Sequence, residues 1–273
     1  MRVLIATAGA AIFAAIVLYA YALYLRRTSM FFPDRFPIGE WDRSRYALEP
    51  RDVHFTTADN VRLHGWIIRS PAPDAPLLVW FHGNAGNITS RAPVAEELAR
   101  RGISVLLFDW RGYGRSEGSP TESALLDDAD AAYQFATMQA NPRRIVLYGE
   151  SLGGPYAAYV ARSNRACCVV IENSFPSLRA LGNALYFPLP VGWLVPRALA
   201  TVRWLNAAGL PVLVMHGRRD EVIPFRLGQQ LYDDLRVPKE MLVSDESGHS
   251  EIPSSEGERY YETVARFVRT SCH

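Results

Sequence analysis

The sequence predicts an α/β domain whose doubly wound, mostly parallel sheet is entered through an antiparallel hairpin. Two observations predict it: short, continuously apolar runs typical of strands buried on both faces, and helical stretches between most of these runs. The apolar runs are Leu77–Phe81, Ile103–Asp109, Ile145–Tyr148, Cys168–Ile171, Val212–Met215 and Met241–Ser244. The helical stretches are Arg91–Arg101, Thr121–Gln139, Leu152–Arg162, Arg226–Leu235 and Glu256–Thr270.

Two β-rich segments precede the first apolar run. Val53–Thr57 and Val61–Arg69 are separated by Ala58-Asp59-Asn60, so they are predicted to pair as a hairpin. Residues 29–50 combine Phe31-Phe32-Pro33 with further prolines and many charges, and they are interpreted as an extended linker. The α/β domain is therefore predicted to span residues 51–273.

One segment breaks the alternation of strands and helices. Residues 174–207 contain four prolines and five large aromatic side chains, which makes the segment too long for a simple connection and too proline-rich for one helix. The aromatic residues are Phe175, Tyr186, Phe187, Trp193 and Trp204. We expect a short cap over the carboxyl end of the sheet; the alternative is that these residues form helices packed into the core.

Composition excludes several classes of function. The 273 residues carry 29 basic and 28 acidic side chains, a formal net charge of +1, so the broad basic field of a non-specific nucleic-acid binder is missing. No metal-ligand spacing, phosphate loop or dinucleotide glycine motif occurs, and neither a metal nor a cofactor is predicted. Cys167 and Cys168 are interpreted as small buried side chains and Cys272 as a free thiol near the carboxyl terminus.

The amino-terminal residues predict a membrane anchor. Val3 to Leu25 are 23 residues without a charge. A helix of this length would extend roughly 34 Å, against a hydrocarbon core of about 30 Å. Residues 1–28 are therefore predicted as a single-pass anchor, with a signal peptide cleaved after Ala20-Tyr21-Ala22 as the alternative. The arginines that follow the span favour a cytoplasmic domain, but the tail before it is short and the opposite orientation stays open.

The chemistry is indicated by Gly149-Glu150-Ser151-Leu152-Gly153, a G-x-S-x-G motif between a predicted strand and a predicted helix. This context is the one that a nucleophile elbow needs, because the serine must sit on a tight, strained turn at the end of the strand. A β-carbon at Gly149 or Gly153 would collide with neighbouring backbone. Ser151 is therefore the candidate nucleophile.

A serine hydroxyl needs a base, and the base needs an acid to orient it; on this type of sheet they follow in the order serine, acid, histidine. Of the six histidines, only His249 lies after the last strand and before the last helix. Asp220, in the loop after Val212–Met215, is the preferred acid, and Glu172, one strand earlier, is the alternative. The main-chain N–H groups of Leu152 and Asn84 are the candidate oxyanion donors.

Linked motifs carry a family resemblance. They are Phe81–Asn87, Asp109–Gly118, Gly149–Gly154, Ile171–Phe175 and His216–Asp220. Over about residues 30–270 the chain resembles the membrane-anchored abhydrolase-domain proteins. The resemblance implies an α/β-hydrolase fold, a serine hydrolase with Ser151, Asp220 and His249 as its triad, and one amino-terminal span. The chain lacks the amino-terminal cysteine cluster that the depalmitoylating members use for lipidation.

The expected activity is cleavage of a small-molecule carboxylic ester or thioester with an acyl or lipid-like group. Phe175, Tyr186, Phe187 and Trp193 would line an apolar substrate pocket if the cap folds over Ser151. Three alternatives stay open: a serine peptidase of aminopeptidase type, an acyltransferase on the same fold, and an inactive membrane-tethered adaptor.

Overall fold

The computed structural model describes residues 30–186, 188 and 199–272. It contains an eight-stranded sheet and a separate two-stranded one. The strands, numbered along the chain, are β1 (Phe32–Pro33), β2 (Arg51–Thr56), β3 (Arg62–Ile68), β4 (Leu77–Phe81), β5 (Ala85–Gly86), β6 (Ser104–Phe108), β7 (Ile145–Glu150), β8 (Cys168–Glu172), β9 (Val212–Gly217) and β10 (Lys239–Ser244).

The large sheet has the strand order β10-β9-β8-β7-β4-β6-β3-β2. The predicted hairpin is confirmed, since β2 pairs antiparallel with β3 and β3 pairs antiparallel with β6. All the other pairs are parallel. The mostly parallel sheet predicted from the continuous apolar runs is therefore also confirmed, and β4 and β6 to β10 end at one shared carboxyl edge.

Helices cover both faces of this sheet, as expected of a doubly wound fold. They are α1 (Ala92–Arg100), α2 (Ala124–Thr137), α3 (Gly153–Ala161), α4 (Leu178–Leu185), α5 (Thr201–Ala208), α6 (Phe225–Asp234), α7 (Ile252–Glu256) and α8 (Glu258–Ser271). The apolar sides of α1 and α8 bury residues in one core cluster, and those of α2, α3, α5 and α6 in the other. Short 3-10 turns lie at Arg43–Arg45, Ile88–Ser90 and Pro142–Arg144.

The segment interpreted as a linker packs on the domain. β1 pairs in parallel with β5, with Phe32 opposite Ala85. The Asn87 side chain donates hydrogen bonds to the carbonyls of Asp34, at 3.0 Å, and Ile38, at 2.8 Å. Because these contacts recur along residues 30–38, this stretch forms a strap across the loop that follows β4. We call it the strap below.

The segment expected to form a cap divides into two parts. α4 buries Leu178, but its other apolar side chains are partly or, at Leu185, largely exposed. α5 instead joins the layer, since Leu205 is fully buried in the core and Trp204 lies edge-on to Tyr159 of α3, with ring centroids 5.7 Å apart. The prediction of a cap over residues 174–207 is thus too long by one helix. Phe187 and Trp193 lie outside the described residues.

The interpretation of the cysteines is wrong in one respect. Cys272 is not a free thiol, because it forms a disulfide with Cys167. The bond joins the end of α8 to the residue before β8, across 105 positions of sequence. Sequence spacing could not reveal it, since the two residues meet only after α8 packs on the sheet. Cys168 is buried and free, as expected.

Within the described ranges, no helix combines the length and apolarity needed to cross a bilayer. The span predicted at residues 3–25 lies outside those ranges.

Candidate active site

Ser151 sits on a strained turn between β7 and α3. Its φ of 53° lies in the left-handed region that non-glycine residues rarely occupy. The flanking glycines make the turn possible: a β-carbon on Gly153 would lie 1.8 Å from the Phe81 carbonyl oxygen, and one on Gly149 would lie 2.5 Å from the Gly154 Cα. The turn is held to β8, because the Ser151 N–H donates to the Glu172 carbonyl at 2.8 Å.

The structure brings Ser151, His249 and Asp220 into one hydrogen-bonded chain. His249 Nε2 lies 2.9 Å from Ser151 Oγ, and His249 Nδ1 lies 2.8 Å from Asp220 Oδ2. Ser151 follows β7, Asp220 follows β9 and His249 follows β10, so three loops at the carboxyl edge supply the three groups. With Nδ1–H donating to Asp220, Nε2 is left free to accept the serine proton.

Burial and hydrogen bonds together set the pKa values of Asp220 and His249. Burial raises the pKa of Asp220, but hydrogen bonds from His216 and His249 outweigh burial and hold that pKa at about 2. The other carboxylate oxygen accepts the main-chain N–H groups of Val222, at 2.9 Å, and Ile223, at 2.7 Å. Burial alone would lower the pKa of His249, yet the bond to Asp220 raises it above the usual 6.5.

Glu172, the alternative acid, makes different contacts. Its carboxylate accepts hydrogen bonds from the buried hydroxyls of Tyr148 and Tyr260. Burial raises the pKa of Glu172 to about 7. No hydrogen bond joins it to His249 among the described residues, so the geometry favours Asp220 as the orienting acid.

Asn173 is a positioning residue that the sequence analysis missed. Its side-chain amide donates to the carbonyl of His249 and accepts from the Gly217 N–H at 3.0 Å. One side chain therefore connects the end of β8 to the end of β9 and to the histidine loop. Its φ of 45° shows that this loop holds Asn173 in the left-handed region. Asn is among the few residues enriched there, which is the one sequence signal that could have identified it.

The two candidate oxyanion donors lie on either side of the nucleophile. Leu152 follows Ser151 directly, ahead of the amino terminus of α3, and the described residues offer no hydrogen-bond acceptor to its N–H or to that of Asn84. The loop before Asn84 lies against the nucleophile, since a β-carbon on Gly83 would be 3.4 Å from Ser151 Cβ. Both amides are thus available to a substrate oxygen.

The Asn84 loop is held from two directions. On its outer side, the carbonyl of Asn84 accepts the Phe32 N–H at 2.8 Å and the Tyr113 hydroxyl at 2.7 Å. Its side-chain amide donates to the Met30 carbonyl at 3.0 Å. The strap therefore holds the Asn84–Ala85 peptide, which directly follows the peptide that carries the Asn84 N–H.

On its inner side the loop rests on a largely buried ion pair that the sequence analysis also missed. Arg91 donates twice to Glu150, at 2.7 and 3.1 Å, and its remaining nitrogen reaches the carbonyls of Ala85, at 3.0 Å, and Asn87, at 3.2 Å. Burial raises the pKa of Glu150, but the charge of Arg91 outweighs burial and lowers that pKa to about 2. The variable position before Ser151 in the motif thus carries a structural charge.

His82 cannot serve as a base despite its place beside the loop. Complete burial, reinforced by the charge of Arg91, lowers its pKa to about 3. Its Nδ1 lies 2.8 Å from the Gly83 carbonyl, so the neutral ring serves to hold the loop. His216 is turned toward Asp220 and the Ile223 carbonyl, which it approaches at 2.9 Å.

Of the four predicted substrate-binding residues, the structure describes Phe175 and Tyr186, and of these two only Tyr186 is exposed. Phe175 is buried in the core with 1% exposure, so it supports the loop after β8 and does not line an open pocket. Tyr186, at the end of α4, is 60% exposed. An open cavity of about 610 Å³ lies between α4 and α6. Its lining residues are Ala180, Asn183, Ala184, Arg226, Leu227 and Gln230.

A strained strand–turn–helix at the carboxyl edge of a mostly parallel sheet, with acid and histidine loops beside it, defines an α/β hydrolase. The chain belongs to the α/β-hydrolase family. The uncharacterized protein YfhR of Escherichia coli strain K12 is 32% identical over 228 residues, which is 79% of each chain. The α/β hydrolase domain-containing protein WAV2 of Arabidopsis thaliana is 29% identical over 82% of this chain and 80% of its own length.

The family model described as serine aminopeptidase S33 matches residues 72–180, which include Asn84 and Ser151. Among solved structures, the Pyrococcus furiosus esterase Pf2001 superposes with a TM-score of 0.72 at 24% identity, covering 89% of this chain and 98% of its own. This likeness shows the fold.

The assignment of the acid predicts a difference between two carboxylate variants. Asp220→Asn should lower kcat/KM for an ester by roughly 10³–10⁴, because the amide favours the wrong histidine tautomer. Glu172→Gln should cost less than about tenfold, since its carboxylate contacts tyrosines and not the imidazole. A larger loss in Glu172→Gln than in Asp220→Asn would transfer the role of the acid to Glu172.

The pH dependence of kcat/KM tests the roles of Asp220 and Glu172 in a second way. The base must be neutral, so kcat/KM should rise with pH through the raised pKa of His249, above 6.5. Where Glu172 is ionised, its negative charge adds to that rise in pKa, after the contributions of Asp220 and Glu150. In Glu172→Gln the acid limb of the profile should therefore move to lower pH while the plateau stays close to that of the parent.

The ion pair below the Asn84 loop predicts an effect on turnover. Arg91→Met should lower kcat about tenfold to hundredfold with little change in KM, because the loop loses its inner support; outright loss of a donor costs roughly 10²–10³. The variant should also be destabilised, by less than the roughly 3–5 kcal/mol typical of a fully buried pair, since Glu150 loses its counter-ion in a largely buried position and keeps the hydrogen bond from Trp80.

Combining Arg91→Met with Glu150→Gln separates the two effects. The double variant removes the unpaired charge, so its free energy of unfolding should recover while kcat stays low. Recovery of kcat together with stability would mean that Arg91 affects turnover only through folding.

Proposed function

We propose that the protein is a serine hydrolase that cleaves carboxylic esters or thioesters through an acyl-enzyme on Ser151. The observation that carries the proposal is the hydrogen-bonded chain from Ser151 through His249 to Asp220, centred on a strained elbow. The distances of 2.9 and 2.8 Å are those at which a proton can pass from the hydroxyl to the imidazole. The esterase with a similar fold is consistent with this class of reaction.

The reaction would proceed in two halves. As Ser151 Oγ bonds to the carbonyl carbon, His249 Nε2 takes the hydroxyl proton, and the N–H groups of Leu152 and Asn84 hold the oxygen that becomes negative. The intermediate then breaks its bond to the alcohol or thiol, which leaves with the proton from His249. Water, deprotonated by His249, releases the acid from Ser151 in the second half.

The chemistry of the cap favours an ester or thioester over a peptide amino terminus. Residues 174–207 contain no aspartate or glutamate, and their charged side chains are Arg179, Arg197 and Arg203. A cationic amino terminus would find no carboxylate there. Glu172, the remaining candidate near this segment, is turned toward Tyr148 and Tyr260. Tyr186, Phe187 and Trp193 are proposed to contact an acyl chain.

The proposal predicts complete dependence on one hydroxyl. Ser151→Ala should abolish labelling by a fluorophosphonate probe and should lower ester and thioester turnover by roughly 10³–10⁶, with an unchanged melting temperature. Ser163→Ala, which removes an exposed hydroxyl beyond α3, is the matched control. Turnover of Ser151→Ala within about tenfold of the parent would contradict the proposal.

We also propose that residues 3–25 anchor the protein in a membrane. The support is the uncharged length of this stretch, whose backbone groups would all be satisfied within a helix. The full-length protein should stay in the membrane pellet after alkaline carbonate extraction. A protein lacking residues 1–28 should appear in the supernatant and keep its activity on a soluble ester, because Met30 onward carries the site.

Release of the full-length protein by carbonate would contradict the anchor. A mature amino terminus between Tyr21 and Leu23, measured by mass spectrometry, would instead identify a cleaved signal peptide.

A further inference from the structure

The exposed apolar side chains are concentrated around the active site. Seven large apolar side chains are exposed among the described residues; three of them belong to the strap, and three lie in segments that follow β8 or β9. These six are Phe32, Phe36, Ile38, Leu185, Tyr186 and Val222. The seventh, Met138, follows α2 near the opposite edge and is 72% exposed. We call the six the apolar rim.

The apolar rim lies on both sides of the catalytic residues. On one side, Phe32 belongs to the strap that binds the Asn84 carbonyl, and Ile38 accepts from Asn87 in the same loop. On the other side, Val222 donates its N–H to Asp220, and Tyr186 ends the helix that follows β8. A flat apolar surface that touched both sides of the rim would therefore face the loops that carry Asn84 and Asp220.

We propose that the apolar rim contacts the lipid bilayer, and that the substrate is a lipid-like ester or thioester that reaches Ser151 directly from the membrane. The proposal deepens the hydrolase function and rests on it and on the proposed anchor. The bilayer is proposed as the surface that the rim contacts because only residues 26–29 separate the uncharged stretch from Met30. Five residues from Leu25 to Met30 reach at most about 18 Å, so the strap must lie near the membrane surface.

The composition of the strap suits the interface between lipid and water. Phe32, at 53% exposure, and Ile38, at 58%, are side chains that gain from leaving water. The guanidinium of Arg115 lies 4.5 Å from the ring of Phe36 and 4.8 Å from that of Trp41. Tryptophan is enriched in the headgroup zone, where an arginine side chain can stay hydrated. The acidic Glu40 nearby is neutralised by Arg45.

The first experiment measures depth in the membrane. Full-length Ile38→Cys and Met138→Cys proteins carry a fluorescent maleimide and are reconstituted in phosphatidylcholine nanodiscs with or without brominated acyl chains. The native cysteines leave the label specific, since Cys167 and Cys272 are bonded and Cys168 is buried. Brominated lipid should quench the label at position 38 several-fold more strongly than the label at position 138. Equal quenching, or none at position 38, would overturn the proposal.

The second experiment measures delivery of substrate. In the same nanodiscs, Ile38→Asn should raise KM for a long-chain ester dissolved in the bilayer roughly fivefold to tenfold, as expected when one partly exposed apolar side chain loses its contact. Its kcat/KM for a short, water-soluble ester should equal that of the parent. Met138→Asn should change neither. Equal effects on both esters would overturn the proposal, because the substitution would then act on the site itself.

The outcomes separate this proposal from those on which it depends. If no ester turnover depended on Ser151, the proposed hydrolase function itself would be contradicted. Release of the protein by carbonate would remove the anchor and with it the apolar rim as a bilayer contact. An anchored, active protein whose label at position 38 is unquenched, but becomes protected when a protein partner is added, would assign the rim to that partner and overturn the bilayer proposal alone.

Discussion

The close approach of main chains at Gly149 and Gly153 is the constraint on which the site depends. Only a residue without a β-carbon allows α3 to begin this near to the Phe81 carbonyl and β7 to turn this sharply. The turn places Ser151 at a φ of 53° and leaves the Leu152 N–H without a partner in the described chain. Strain of this kind costs about 1–3 kcal/mol, and the sheet on either side supplies the rigidity that maintains it.

Burial makes the charges around this turn depend on one another. Asp220, which is buried, and Glu150, which is largely buried, both stay ionised because histidine or arginine side chains hydrogen-bond to them, whereas Glu172 has only tyrosine partners and burial raises its pKa to about 7. The two ionised groups serve different ends: Asp220 orients His249, and Glu150 holds Arg91 beneath the oxyanion loop. Removal of a cationic or histidine partner is therefore expected to cost more than the direct contact, since the carboxylate is left largely buried with fewer hydrogen bonds.

The sequence was sufficient where function depends on local order along the chain. The strand–G-x-S-x-G–helix pattern identified the elbow, and the position of His249 between β10 and the final helices separated it from five other histidines. The sheet followed from the continuous apolar runs. Sequence was insufficient where the contact joins distant segments, as for Arg91 with Glu150, Asn173 with His249 and Cys167 with Cys272. No periodicity records such pairs, because they form only once the sheet has assembled.

The strap connects the oxyanion loop with the uncharged amino-terminal stretch, because it contacts the loop and follows that stretch closely in sequence. Since Phe32 pairs with Ala85 and donates to the Asn84 carbonyl, the loop that would hold the oxyanion cannot shift unless the strap shifts with it. The strap begins five residues after the uncharged stretch ends. An anchor at that stretch would thus orient the entrance of the site as well as confine the protein, and a fixed orientation reduces the entropy lost when a lipid substrate binds.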